Sequence, residues 1–295
     1  MIVYLDQNKW IELARIHHGK NRAKPARAIL REIKASIECG YQYPLSSCHY
    51  MEFSRISNPG RRKRLGKVMW KYSQGFTLAS IQEILLSEIE FSLKQFYPKI
   101  VPRTVELIGR GVGHAFGEKA GDHLPNWLNV AIEKALLVGD KNKDMDPISR
   151  HSTQYRESFR SHLESLHELK KEVGEKKVED LIYIIILKDI IEPLLEILMS
   201  HGLDKELFEN FKVGEYTKLV DSMPSRLLDA HLHRQVFRNP NYKPKISDLE
   251  DWAGLGLAAC HCDIVVCEKH FANMLKRDKF KTKARVVTNL NEIFK

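Results

Sequence analysis

The chain has 295 residues, of which 43% are hydrophobic and 29% charged, with a net charge of +9. That balance excludes global disorder, and the length suits one large domain or two ordinary ones. Five cysteines are an odd number in a large chain, which argues against a disulfide framework and makes a reducing cytoplasm the expected compartment.

Ile2–Leu5 is a short apolar run that stops at Asp6, and it reads as a buried strand. Trp10, Leu13, Ala14 and His17 recur at helical spacing, with Gly19 closing that helix. A second helix is expected from about Ala23 to Glu38, ended by Cys39-Gly40. Tyr41–Leu45 is a weaker strand because Pro44 lies inside it. Ser46-Ser47 can cap a helix containing Met51, Glu52 and Phe53, and Asn58-Pro59-Gly60 breaks the chain.

The middle reads as almost wholly helical. Leu78–Phe96, Leu124–Val138, Tyr155–Val173, Val178–Met199 and Lys205–Phe211 have helical length and periodicity. Five glycines between Gly109 and Gly121 predict a flexible loop, and Asp140–Asp146 a polar linker. The longest apolar run, Leu181–Leu187, is too short to cross a bilayer; it reads as a buried helix or a dimer face. The first residues lack the basic segment and long apolar stretch of a signal peptide. No membrane association is expected.

The last fifty residues change character. Ser247 precedes a helix from Asp248 to about Cys260, rich in small residues that permit close packing. Ile264–Cys267 is a β-branched strand ending at Glu268. Ala284–Thr288 is another strand, followed by a short terminal helix. Strands separated by helices at both ends predict an α/β fold, a parallel sheet flanked by helices. Residues 1–75 and 246–295 would form one discontinuous domain, interrupted by an all-helical insertion over 76–245.

Charge follows the same division. Residues 1–75 hold 15 Lys/Arg and 5 Asp/Glu, whereas residues 246–268 hold 5 Asp/Glu and no Lys or Arg. Ligands of an open parallel sheet bind beyond the carboxyl ends of its strands. Asp6 and Glu268 each end a strand there. Asp248 and Asp251 share one helix face, and Glu52 lies early in the helix after the second strand. Five converging carboxylates would repel one another unless a hard divalent cation, Mg²⁺ or Mn²⁺, lay between them. Such a metal can activate water against a phosphodiester, and Arg61, Arg62, Lys63, Arg64 and Lys67 supply cations for phosphate contacts.

Asp263 is expected to stay outside that group. It precedes the strand that Glu268 follows, which separates the two by roughly 16 Å.

These residues resemble the PIN-domain nucleases. Leu5-Asp6-Gln7-Asn8 is similar to their Leu-Asp-Thr-Asn opening. Ser46-Ser47 with Met51-Glu52-Phe53 resembles their second motif, Asp251 their third acid, and Val266-Cys267-Glu268-Lys269-His270-Phe271 their fourth. The resemblance covers roughly residues 1–75 and 246–295 and implies a PIN-like fold. It also implies a Mg²⁺- or Mn²⁺-dependent endonuclease, most often acting on RNA, of the kind found among toxins and phage-defence effectors. On that basis Asp6, Glu52, Asp251 and Glu268, with Asp248, hold the metal, and Asn8 orients Asp6 or the water. The insertion would cover the crevice, recognise substrate, or bind a protein partner or inhibitor; self-association is open. Gln7, Cys267 and Glu268 depart from the usual Thr or Ser, Thr and Asp. The competing expectation is a non-catalytic nucleic-acid-binding or protein-interaction module on a degenerate form of the fold.

Overall fold

A computed structural model describes the chain except for residues 21–23, 119–124, 140–152, 175–176, 204–205, 207, 209 and 240. The chain is mixed α/β, built on a small parallel sheet flanked by helices. Strand β1 (Val3–Leu5) pairs with β4 (Ile264–Val266), and β4 pairs with β5 (Arg285–Val287), both in parallel. Val3, Tyr4 and Leu5 lie opposite Ile264, Val265 and Val266. Residues from the two ends of the chain are therefore hydrogen-bonded neighbours. The expected strand over Tyr41–Leu45 contributes only two isolated parallel bridges, Ile2 with Gln42 and Leu45 with Thr77.

Side-chain alternation along the strands divides the core in two. Val3, Leu5, Ile264, Val266 and Val287 face a cluster with Trp10, Leu13, Ile33, Phe53 and Met69. That cluster joins β1 to α1 (Gln7–His17), α2 (Lys24–Glu38), α3 (Ser47–Ser54) and α4 (Pro59–Ser73). Tyr4, Val265 and Val286 face the opposite way, into a larger cluster that includes Ile89, Ile186, Leu194 and Val236.

The second cluster is built mainly by helices from the middle of the chain. They are α5 (Ile81–Leu93), α8 (Thr153–Val173), α9 (Val178–Ser200), α10 (Val213–Asp221) and α11 (Pro224–Arg238). The sequence pattern overlooks α11 because His231, His233 and Gln235 read as polar, yet all three are buried. No helix among the described residues is long and apolar enough to cross a membrane.

Two findings modify the expectation of a separate, all-helical insertion. Phe76–Leu78 forms β2 and pairs antiparallel with β3 (Ile108–Arg110), where a helix start and a glycine loop were expected. Thr77, in the middle of β2, is fully buried and its hydroxyl donates to the Gly111 carbonyl. Helix α6 (Gly111–Phe116) begins at a glycine with φ +83°, a left-handed conformation that side chains disfavour. Val112 and Ala115 of α6 and Leu137 and Val138 of α7 (Asn126–Val138) pack into the cluster of the N-terminal helices. The middle of the chain thus contributes to both core clusters, one on each side of the sheet. The polar linker expected at Asp140–Asp146 lies outside the described residues.

The C-terminal portion follows its expected order. Helix α12 (Asp248–His261) leads into β4, and α13 (Lys269–Lys276) precedes β5. The expected terminal helix is a single 3₁₀ turn at Leu290–Glu292. Asp263, expected away from the acidic group, accepts a 2.7 Å hydrogen bond from the Ile2 amide at the start of β1.

Candidate active site

Since β1 and β4 are adjacent and parallel, their carboxyl ends leave the sheet side by side. The Asp6 amide still donates to the Val266 carbonyl at 2.9 Å. Asp6 then becomes the N-cap of α1, with its carboxylate close to the first amides of that helix. Glu268 is the N-cap residue of α13. Two strand ends and two helix starts thus meet at one edge.

Helix α3 brings Glu52 to the same place. Its first turn is fixed by His49, which is 2% exposed. The His49 Nδ1 accepts from the Ser46 amide at 2.9 Å, and Nε2 donates to the Leu5 carbonyl at 2.7 Å. Burial pushes the imidazole down to about 4, so it is neutral at pH 7 and carries its proton on Nε2, the tautomer these bonds require. The ring ties α3 to the last residue of β1, one residue before Asp6. The sequence reading passed over His49; the spacing Ser46-x-x-His49, a side chain reaching back to its own helix start, was the available signal.

Helix α12 supplies Asp251 from its first turn. Gly254 permits its approach: a Cβ there would lie 2.8 Å from the Tyr4 hydroxyl and 3.1 Å from the Cys48 Cβ. The small residues of this helix thus set its distance from β1 and α3.

Asp6, Glu52, Asp251 and Glu268 line one cavity of about 640 Å³, together with Gln7, Asn8, Arg55, Asn58, Arg61 and Lys245. Asp6 is 6% exposed, while Glu268 is exposed. Burial, then the Glu268 charge, pushes the Asp6 carboxyl up to about 6. Burial raises Glu52 to about 8, with Asp251 and Asp6 as the next causes. Asp251 rises to about 7, through burial and then Asp6, Asp248 and Glu268. Each of these acids is made weaker by others in the same cavity.

Asn8 touches both strand-end acids. Its backbone amide hydrogen-bonds the Asp6 carboxylate, and its side-chain Nδ2 donates to the Glu268 Oε1 at 2.8 Å. Asp248 differs from the other acids. Its Oδ2 accepts from the Tyr242 hydroxyl at 2.7 Å and the Lys245 amide at 2.8 Å. It lines a small side cavity next to Asp6, Asp251 and Glu268. Its carboxylate braces the start of α12.

Of the five basic residues expected to contact nucleic acid, Arg61 lines the acidic cavity and also a neighbouring one, which Arg64 shares. Arg62, Lys63 and Lys67 line neither. A single helix cannot turn five near-consecutive side chains to one side. Arg55, by contrast, was overlooked. It reaches the cavity from the end of α3, with Glu250 at 3.4 Å and Glu52 at 4.0 Å.

Donor chemistry and charge fit a hard divalent cation: the four carboxylates are oxygen donors, and three of them, Asp6, Glu52 and Asp251, are made weaker acids by neighbouring carboxylates. Among the described residues, no three His, Cys, Asp or Glu side chains are gathered closely enough to ligate one ion as they stand. A second sign of a ligand is Gln7, 8% exposed and lining the cavity, whose Oε1 and Nε2 have no hydrogen-bond partner among the described residues. Buried amides are normally satisfied, so this one is available to a water, a metal-bound water or a substrate.

No protein-family model, curated protein or solved structure matches the chain. The functional reading therefore rests on the chemistry of this cavity.

Proposed function

We propose that the protein is a Mg²⁺- or Mn²⁺-dependent nuclease of PIN-like type that hydrolyses phosphodiester bonds, with RNA as the preferred substrate. The observation that carries this reading is one cavity lined by Asp6, Glu52, Asp251 and Glu268, drawn from both ends of the chain, in which burial and neighbouring carboxylates make Asp6, Glu52 and Asp251 weaker acids.

Asp6, Glu52, Asp251 and Glu268 would hold the ion. When bound, it supplies charge neutralisation and a water acidic enough to attack phosphorus. Asn8 fixes the rotamer of Glu268 through its amide hydrogen bond. Asp248 acts as a positioning residue through Tyr242 and the Lys245 amide. Arg55, Arg61 and Lys245 line the same cavity and suit the negative charge of a phosphodiester in its transition state. Gln7 has the free donor and acceptor needed to orient a water or a phosphate oxygen. Hydrolysis of this kind leaves a 5′-phosphate and a 3′-hydroxyl if the PIN-like mechanism holds.

The decisive experiment incubates RNA and DNA oligonucleotides with Mn²⁺ and compares wild type with Asp6→Asn and Asp251→Asn. Cleavage by wild type that falls at least about 100-fold in both variants supports the reading. Equal cleavage by all three places the activity elsewhere. Binding of RNA without cleavage by the wild type selects the non-catalytic module instead.

A further inference from the structure

The acidic cavity continues into a second cavity of opposite charge. This neighbour, of about 450 Å³, is lined by Arg15, His18, Lys20, Arg61 and Arg64 around an apolar floor of Ile11, Ala14 and Leu65. No carboxylate among the described residues lines it. Ile11, Asn58 and Arg61 belong to both cavities, so the two form one trough.

The trough follows one face of α1. Gln7 and Asn8, then Ile11, then Ala14 and Arg15, then His18 recur at the spacing of successive helical turns. From Asn8 to His18 this face extends about 15 Å, at 1.5 Å per residue. A stacked nucleic-acid strand rises about 3.4 Å per nucleotide, so this length takes about four nucleotides.

Helix α4 forms the other wall. Its N-cap Asn58, which accepts from the Arg61 amide at 2.8 Å, marks the junction of the two cavities. The positive end of that helix dipole adds to the charge of Arg61 there. His18 Nε2 lies 3.4 Å from the Arg64 carbonyl, which links the far ends of the two walls. Arg15, Lys20, Arg61 and Arg64 are all exposed, as phosphate-binding side chains must be.

We propose that this trough is the track of a single nucleic-acid strand of about four nucleotides, whose phosphates Arg15, Lys20, Arg61 and Arg64 hold as it leads out of the acidic cavity. The inference rests on the reading that the substrate is nucleic acid. It assigns the binding to one face of α4 and to α1, and takes it away from Arg62, Lys63 and Lys67. The apolar floor accommodates sugar and base faces without hydrogen bonds to base edges, so the track tolerates many sequences.

The test measures binding of a fluorescent oligouridylate of about ten nucleotides, in EDTA, by anisotropy, across about 50–200 mM salt. Wild type is compared with the double variant Arg15→Gln/Arg64→Gln. The charge-matched control is Arg62→Gln/Lys63→Gln. The expected result is binding at least about tenfold weaker for the first pair and within about twofold of wild type for the second. The slope of log affinity against log salt should fall by about 1.4 for the first pair, at about 0.7 per lost single-strand phosphate contact. Equal loss in both pairs, or no loss in the first, overturns the proposal, as does a wild type that does not bind. Should the first pair melt early, Arg15→Gln and Lys20→Gln as single variants should each lower the slope by about 0.7.

Cleavage is measured separately with Mn²⁺. Binding as described without cleavage sinks the nuclease reading and leaves the track. Cleavage with both pairs behaving alike sinks the track and leaves the nuclease.

Discussion

Asn8 and Glu268 stand 260 positions apart in the chain, and the Asn8 amide donates to the Glu268 carboxylate at 2.8 Å. Both are exposed, each near the start of a helix, and each follows a strand of the same parallel pair. The bond directs one of the two Glu268 oxygens. Removing a partner that orients a metal-binding side chain typically costs 10–100-fold in affinity or activity. Asn8→Ala is expected to lower Mn²⁺-dependent cleavage about tenfold and to raise the Mn²⁺ concentration at half-maximal rate. A rate series against Mn²⁺ concentration checks this; an unchanged curve removes Asn8 from the site.

The weakened acids make metal-free stability depend on pH. Asp6, Asp251 and Glu52 are raised to about 6, 7 and 8 from ordinary values of 3.8, 3.8 and 4.5. A carboxyl raised on folding holds its proton more tightly in the native state, so stability is greatest below its unfolded value. That stability is lost as pH rises from about 4 to about 8. In EDTA the melting temperature should therefore fall between pH 5.5 and pH 8, and Mn²⁺ should offset most of the fall at pH 8 by binding the ionised cluster. Asp251→Asn should flatten the metal-free profile. Thermal melts across this range decide it, and a wild-type profile that rises with pH would falsify the assignment.

Gln7 carries two polar atoms with no hydrogen-bond partner among the described residues, in a buried position. An unsatisfied buried amide costs about 1–3 kcal/mol. Gln7→Met keeps the length and removes that cost. The expected outcome is a variant at least as stable as wild type in urea, yet slower in cleavage. Loss of stability together with full activity would show that the amide serves the fold.

Glu250 is 4% exposed and faces Arg156 of α8 at 2.8 Å and Arg55 at 3.4 Å. One of its oxygens, Oε2, has no hydrogen-bond partner among the described residues. The pair fastens the middle of the chain to the helix that carries Asp251. Removing one partner of a buried ion pair strands the other charge, at a cost of about 3–5 kcal/mol. Arg156→Ala should cost about 3 kcal/mol, the low end, because Arg55 remains. The double variant Arg156→Ala/Glu250→Gln should recover much of the loss. Urea denaturation of the four proteins forms a double-mutant cycle, and additive losses would show that the two side chains are energetically independent.

Much of the fold was legible because its signals are local. The run Ile264-Val265-Val266 is β-branched and buried throughout, and Val178–Ser200 is apolar over most of its surface. What escaped depends on partners. Leu78 reads as the first residue of a helix until Ile108–Arg110 is placed beside Phe76–Leu78. His231 and His233 suit either a surface or a packing role by sequence, and the packing of α11 decides for burial: His231 Nε2 faces the Met274 carbonyl at 2.8 Å, and His233 Nδ1 the Asp229 carbonyl at 2.9 Å.

The sequence by itself determined which carboxylates were candidates, since strand ends and helix first turns are set by hydrophobic period and chain-breaking residues a few positions away. Only the tertiary structure decided which of them share a cavity. It brought Asp6, Glu52, Asp251 and Glu268 to one wall, gave Asp248 to Tyr242, and turned Arg61 and Arg64 away from Arg62 and Lys63. Side-chain partnership is fixed by the register of β1 on β4 and by helix rotation, and both are settled by burying the whole core at once rather than by any local stretch of chain.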